Sequence, residues 1–291
     1  MNEEKVSVNG VDIQIEDHGG AGQVIVFIHH GGSNLRMWDP VIPFFKDNYR
    51  CLALDLRGHG KSDAPITAYH IDDMACDVAG ILDALDIEQV HVVGSSIGAE
   101  VGLSLAAQFP SRMRSLVAEG ALSSEYGPYG IRDAESFEQD EALRSRLAES
   151  KGTLEKTYES REALMEEKSA FYKNNGLWNP AVEASLAYGI VEDDAGHFRD
   201  AWRKHARDAY MESYFNCRFE DYYAQITCPI LMLPDAEDAA DEKLFDIMTR
   251  LCHLAKACEI VRVPGAMHPF GWILDPAPMA QAVLDFFNRL S

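Results

Sequence analysis

The order of apolar segments predicts an α/β protein: a doubly wound, mostly parallel sheet with helices on both faces and one inserted all-helical segment. Three observations carry that expectation. Mostly apolar runs at Val24–Ile28, 51–54 and 90–93 suit strands buried on both faces of a parallel sheet. Helical patterns alternate with those runs, which is the rhythm of strand-helix-strand crossovers. Finally, Gly94-Ser95-Ser96-Ile97-Gly98 follows the third run and opens an apolar-periodic stretch, so a G-x-S-x-G pentapeptide falls on a strand-to-helix corner.

The elements can be read in order. Val6-Ser-Val8 and Val11-Asp-Ile13-Gln-Ile15 alternate apolar and polar residues around Asn9-Gly10, a pair favoured in two-residue turns, which predicts an opening antiparallel hairpin. Between the second and third parallel runs, Ile71, Met74, Val78, Ile81 and Leu85 mark the inward face of a helix. The helix after Ser96 runs to Pro110, and a strand follows at 115–118. Late strands are expected at Ile230–Leu233 and 259–263, separated by a helix that buries Leu244, Ile247, Met248, Leu251 and Leu254. Asp275 and Pro276 then read as cap and first residue of a final helix packed through Met279, Val283, Phe286 and Leu290. Residues 121–225 break the rhythm. They hold no convincing strand and read as several helices, first charged and then aromatic, so the core is expected at 1–120 and 226–291 with a helical cap between.

Charge excludes some function classes. With 47 acidic and 26 basic residues the formal charge is −21, which repels nucleic acid and anionic membrane surfaces. A small-molecule substrate is expected; a homo-oligomer is left open. Cys51, Cys76, Cys217, Cys228, Cys252 and Cys258 are scattered without a C-x-x-C pair, and the charged segment 1–5 does not look like a leader, so reduced thiols and a cytoplasmic location are expected. No H-E-x-x-H or clustered Cys/His spacing occurs, and Gly58-His-Gly60 is too short for a dinucleotide loop, so neither metal nor cofactor is expected.

The pentapeptide carries the chemistry. A tight corner forces its central residue into a strained backbone and lifts the Ser96 hydroxyl clear of the chain, and side chains at Gly94 and Gly98 would collide with neighbouring elements. The same turn aims the N–H of Ile97 at the place where an oxyanion would form. A serine hydroxyl needs a base, and the base needs a partner that fixes its tautomer.

Further landmarks agree in order and spacing. Val24-Ile-Val-Phe-Ile-His29-His30-Gly31-Gly32-Ser33 resembles the third strand and oxyanion loop of the α/β-hydrolase superfamily. Asp55-Leu-Arg57-Gly58-His-Gly60-Lys-Ser62 resembles its D-x-R-G-x-G-x-S loop, and Pro264-Gly265-Ala266-Met267-His268 its histidine loop. The resemblance covers the chain outside 121–225 and implies an eight-stranded α/β-hydrolase sheet. It makes Ser96 the nucleophile, His268 the base, and the N–H groups of Gly31 and Ile97 the oxyanion donors. Leu231-Met-Leu-Pro234-Asp235-Ala-Glu237-Asp238 resembles the loop that bears the acid and puts Asp238 in that place, although Asp235 stands where a glycine is expected. Glu119, directly after the strand at 115–118, is the alternative acid. His30, at the usual glycine position, together with Trp38, Trp178 and Trp202, is a candidate for substrate contact.

Serine at the corner argues against haloalkane dehalogenases and epoxide hydrolases, which place a carboxylate there. The resemblance implies a serine esterase or lactonase working through an acyl-enzyme. The alternatives are a carbon–carbon bond hydrolase of ring-fission products, a cofactor-free perhydrolase, and a ligand sensor on a hydrolase scaffold.

Overall fold

The computed structural model describes residues 2–120 and 123–290. Positions 121 and 122, where the expected insertion begins, lie outside the described residues.

The opening hairpin forms as its alternation requires, β1 (Asn2–Val8) against β2 (Val11–Asp17), turning at Asn9 and Gly10, both with positive φ. The apolar runs become β3 (Val24–Ile28), β4 (Arg50–Leu54), β5 (Val90–Ser95) and β6 (Met113–Glu119), with α1 (Ile71–Ala84) between β4 and β5 and α2 (Ile97–Gln108) after β5. The segment that follows contains α3 (Glu141–Gly152), α4 (Arg161–Asn174) and α5 (Pro180–Tyr188). Here the all-helical expectation needs correction: β7 (Ile190–Glu192) and β8 (Phe198–Asp200) pair as an antiparallel ribbon before α6 (Lys204–Tyr214) and α7 (Phe219–Tyr223). Each strand has three residues, too short for an alternation to stand out, and the turn between them supplies the pairing. The chain ends with β9 (Ile230–Leu233), α8 (Glu242–Cys252), β10 (Cys258–Ile260), α9 (Gly271–Leu274) and α10 (Pro276–Leu290).

One eight-stranded sheet runs in the order β1-β2-β4-β3-β5-β6-β9-β10, antiparallel at β1–β2 and β2–β4 and parallel elsewhere. An apolar layer lies on each face. One holds Met74, Val78, Ile81, Leu103 and Leu251; the other holds Phe27, Trp38, Phe45, Val283 and Phe287. The last turn of α10 departs from its expected face: Phe287 is buried and Leu290 stays exposed, because the helix end runs past the body it packs on.

The cysteines also differ from expectation. Cys252, closing α8, and Cys258, opening β10, are joined as a disulfide with Cα atoms 5.3 Å apart; Cys51, Cys76, Cys217 and Cys228 are free thiols. The reversal between helix and strand brings the pair together, and a spacing of six carries no such signal in sequence. Among the described residues no helix is long and apolar enough to cross a membrane.

Candidate active site

The register of the central strands assembles the site at their carboxyl ends. Gly94 lies opposite Ile28, Ser95 opposite Glu119, and Glu119 opposite Leu233. In a parallel sheet this stacks the loops after β3, β5, β6 and β9 in one place, where α/β folds bind their ligands.

Ser96 stands on the corner between β5 and α2 at φ 52° and ψ −119°, a region that side-chain-bearing residues avoid. Its partly exposed side chain sits above a crowded backbone. A Cβ on Gly94 would lie 2.3 Å from the Gly98 carbonyl oxygen, and one on Gly98 would lie 2.1 Å from that of Ile28, so both elbow positions exclude any side chain. The Ser96 N–H donates to the Glu119 carbonyl at 2.7 Å, tying the corner to the end of β6.

The imidazole of His268 arrives from the loop after β10 and lies over Gly120, where a Cβ would fall 2.1 Å from Cε1. Gly120 has φ +64°, so both its backbone and its missing side chain are needed. His268 Nδ1 lies 2.7 Å from Glu119 Oε1. A carboxylate only accepts, so Nδ1 carries the proton and Nε2 keeps a free lone pair. Burial lowers the His268 pKa, but the Glu119 hydrogen bond and charge outweigh it, with Asp235 and Asp238 adding to them, and the net shift is above the ordinary histidine value.

The acid expected after β9 is therefore corrected: the residue hydrogen-bonded to the imidazole is Glu119, the alternative, and not Asp238. Asp235, standing at the missing glycine, explains why. Its Oδ1 accepts the Glu237 N–H at 2.7 Å and its Oδ2 the His268 N–H at 2.6 Å, so the loop closes on itself. Asp238 is left exposed on that turn, its pKa raised by partial burial and by the charge of Asp235.

The loop after β3 is equally determined. His29 Nδ1 donates to the His30 carbonyl at 2.8 Å, and its Nε2 accepts the Leu56 N–H at 3.0 Å, which fixes its tautomer. Burial and neighbouring His59 hold its pKa well below the ordinary value, so it stays neutral. Holding the His30 carbonyl orients the whole His30–Gly31 peptide, including the Gly31 N–H. Gly31 is packed on Ile97, whose Cδ1 would sit 2.7 Å from a Cβ there. Asp55, buried on the loop after β4, braces this region by accepting the Leu35 N–H at 2.7 Å and the Lys61 N–H at 2.8 Å.

The four candidate contact residues separate. His30 donates from Nδ1 to the Gly31 carbonyl at 2.9 Å, faces the Phe270 ring, and is kept neutral by burial with a pKa of about 4. Trp202 covers Gly31 and Gly32 and stacks on His59 at 5.0 Å between centroids. Trp178 is half-buried under the Lys173 ammonium, 4.6 Å away. Trp38 is corrected to a core residue: it is 0% exposed, with rings of Phe27 and Trp272 each 5.2 Å away, and has no face left for a substrate.

Sequence reasoning missed the polar pair behind α2. Glu100, one turn after Ser96, is fully buried, and the Tyr210 hydroxyl of α6 lies 2.9 and 2.8 Å from its two oxygens. Burial pushes the Glu100 pKa up to about 8, so the neutral acid is the form present at pH 7. Replacing Tyr210 by Phe strands that carboxyl, and urea denaturation is expected to show a loss of about 1–3 kcal/mol.

Known proteins share this architecture. A family model described as the alpha/beta hydrolase fold matches residues 23–170, just over half of the chain. The 2-(acetamidomethylene)succinate hydrolase of Mesorhizobium japonicum is 33% identical over 114 residues, covering 39% of this chain and 41% of that protein. The 3-oxoadipate enol-lactonase 2 of Acinetobacter baylyi is 39% identical over 93 residues, covering 32% of this chain and 35% of that protein. The matched stretches thus span about two fifths or less of these relatives' length. A crystal structure of E-2-(acetamidomethylene)succinate hydrolase superposes with a TM-score of 0.77 at 24% identity, covering 99% of both chains, which speaks to the fold alone. From the elbow at Ser96 to the matched sequence around it, the chain belongs to the α/β-hydrolase fold family.

Proposed function

We propose that this chain is a serine hydrolase of carboxylic esters, lactones included, working through an acyl-enzyme on Ser96. The observation that carries the proposal is the His268–Glu119 pair seated over Gly120, beside an elbow serine whose own N–H is held by the same Glu119.

In this reading His268 Nε2 takes the Ser96 proton as Oγ attacks the substrate carbonyl, and the Glu119 carboxylate supports the imidazolium. The N–H groups of Gly31 and Ile97 receive the oxyanion. The tetrahedral adduct then collapses, breaking the bond to the alcohol oxygen, which leaves with the proton from His268. Water next attacks the acyl carbon while giving a proton to His268, and that proton returns to Ser96 as the carboxylic acid departs. The helical segment within 121–225, whose Trp202 lies on the Gly31 loop, acts as the cap that shapes the pocket.

A panel of short p-nitrophenyl esters, lactones and ring-fission products tests the proposal. Turnover of esters or lactones, with an acyl group trapped on Ser96, is the expected result. Cleavage confined to carbon–carbon bonds, or tight binding without turnover, defeats it.

The pH dependence follows from the His268 shift. The base must be neutral, and its pKa is raised, so kcat/KM is expected to fall on the acid side at a pH above that of an unperturbed histidine, about 6.5. The same group acts oppositely on stability: its contribution is full below the unfolded pKa and is lost as pH rises through the folded one. Activity and stability profiles measured together should therefore slope in opposite directions across this window.

A further inference from the structure

We infer that Ser95, the variable position inside the elbow motif, is a positioning residue that fixes the Glu119 carboxylate toward His268; this rests on the catalytic reading above.

A buried carboxylate has more acceptor capacity than one histidine can fill, and its free oxygen must be satisfied or the group will turn. Glu119 is 3% exposed, and its two oxygens have divided roles. Oε1 faces His268 Nδ1. Oε2 accepts the Ser95 hydroxyl at 2.5 Å and the Trp272 indole N–H at 3.2 Å. Both donors are rigidly placed: each residue is 0% exposed, Ser95 opposes Glu119 in the β5–β6 register, and Trp272 is wedged against Trp38. With Oε2 fastened by two donors, rotation about the last side-chain bond is stopped and Oε1 is held where the imidazole arrives. The elbow thus does two jobs with adjacent residues, since Ser96 presents the attacking oxygen while Ser95 orders the group that supports its base.

The chemistry of the donors sets their relative weight. The hydroxyl makes the shorter bond to a charged acceptor, so its loss should matter more than that of the indole N–H. Ser95→Ala is expected to lower kcat roughly tenfold or more, the rate equivalent of one hydrogen bond to a charged group, with KM little changed because no substrate contact is lost. Ser95→Thr, which keeps the hydroxyl, should restore most of it. Trp272→Phe, which keeps a ring but removes the donor, should give a smaller fall of the same kind.

A second readout does not depend on turnover. The His268 Nδ1 proton, held between nitrogen and carboxylate, should give a strongly downfield proton NMR resonance in the parent. That resonance should move upfield or broaden in Ser95→Ala and in Trp272→Phe, and return in Ser95→Thr. If the parent hydrolyses no ester, the proposed function falls while the resonance still reports whether Ser95 orders the pair. If Ser95→Ala and Trp272→Phe both keep the parental kcat and resonance, or if Ser95→Thr is as impaired as Ser95→Ala, the positioning role is overturned.

Discussion

Ser96→Ala should abolish ester turnover, lowering kcat by on the order of 10⁴–10⁶-fold, while the protein stays folded. The size follows from what is removed: without Oγ no acyl-enzyme forms, and only binding and the oxyanion donors remain. Folding should be nearly unaffected, because alanine meets the same backbone strain at φ 52° that serine does, and no hydrogen bond from the Ser96 side chain supports the helix start. Ser96→Gly sharpens the test. It is equally inactive, but glycine tolerates that conformation, so its denaturation midpoint should rise by the equivalent of about 1 kcal/mol. Residual turnover of Ser96→Ala within about tenfold of the parent would show that another group carries the chemistry.

The second large effect is at the acid. Glu119→Gln should lower kcat by on the order of 10⁴-fold, whereas Asp238→Asn should stay within a few fold. An amide at 119 turns either its oxygen or its NH₂ toward His268. With the NH₂ there, Nδ1 is forced to accept, the proton moves to Nε2, and the base loses the lone pair it needs for Ser96. With the oxygen there, the NH₂ meets the Ser95 hydroxyl and the Trp272 N–H, and the indole is left with no acceptor. Asp238 acts on His268 only through space and from an exposed turn, where solvent screens its charge. Parallel measurement of kcat and circular dichroism for both variants decides between them, and a larger loss in Asp238→Asn reverses the assignment made from geometry.

Much of the molecule was legible in the chain because the signals were local. Mostly apolar runs located β3, β5 and β9, Asn9-Gly10 located the hairpin, and the glycines flanking Ser96 located an elbow whose crowding admits no side chain. His268 was legible through the resemblance of its loop and its place before the last helix. What failed did so for one kind of reason. Counting along the chain from β9 reaches Asp238, but cannot show that the Asp235 side chain closes the turn first. Helical periodicity cannot reveal a ribbon of two three-residue strands, and a six-residue spacing cannot show that α8 and β10 present Cys252 to Cys258. Trp38 looked like a pocket residue because an aromatic side chain reads the same in a core as at a site.

The sequence by itself determined the architecture and the strained corner at Ser96, since each depends on backbone preferences and burial patterns within a few residues, while the histidine after the last strand was legible through the resemblance of its loop. Only the tertiary structure decided which carboxylate meets that histidine, because the choice is made by strand register and by donors from three separate stretches: Ser95 beside the elbow, Trp272 before the final helix, and the imidazole lying on Gly120. A buried charge goes where enough hydrogen-bond donors converge on it, and that convergence is a property of the folded chain.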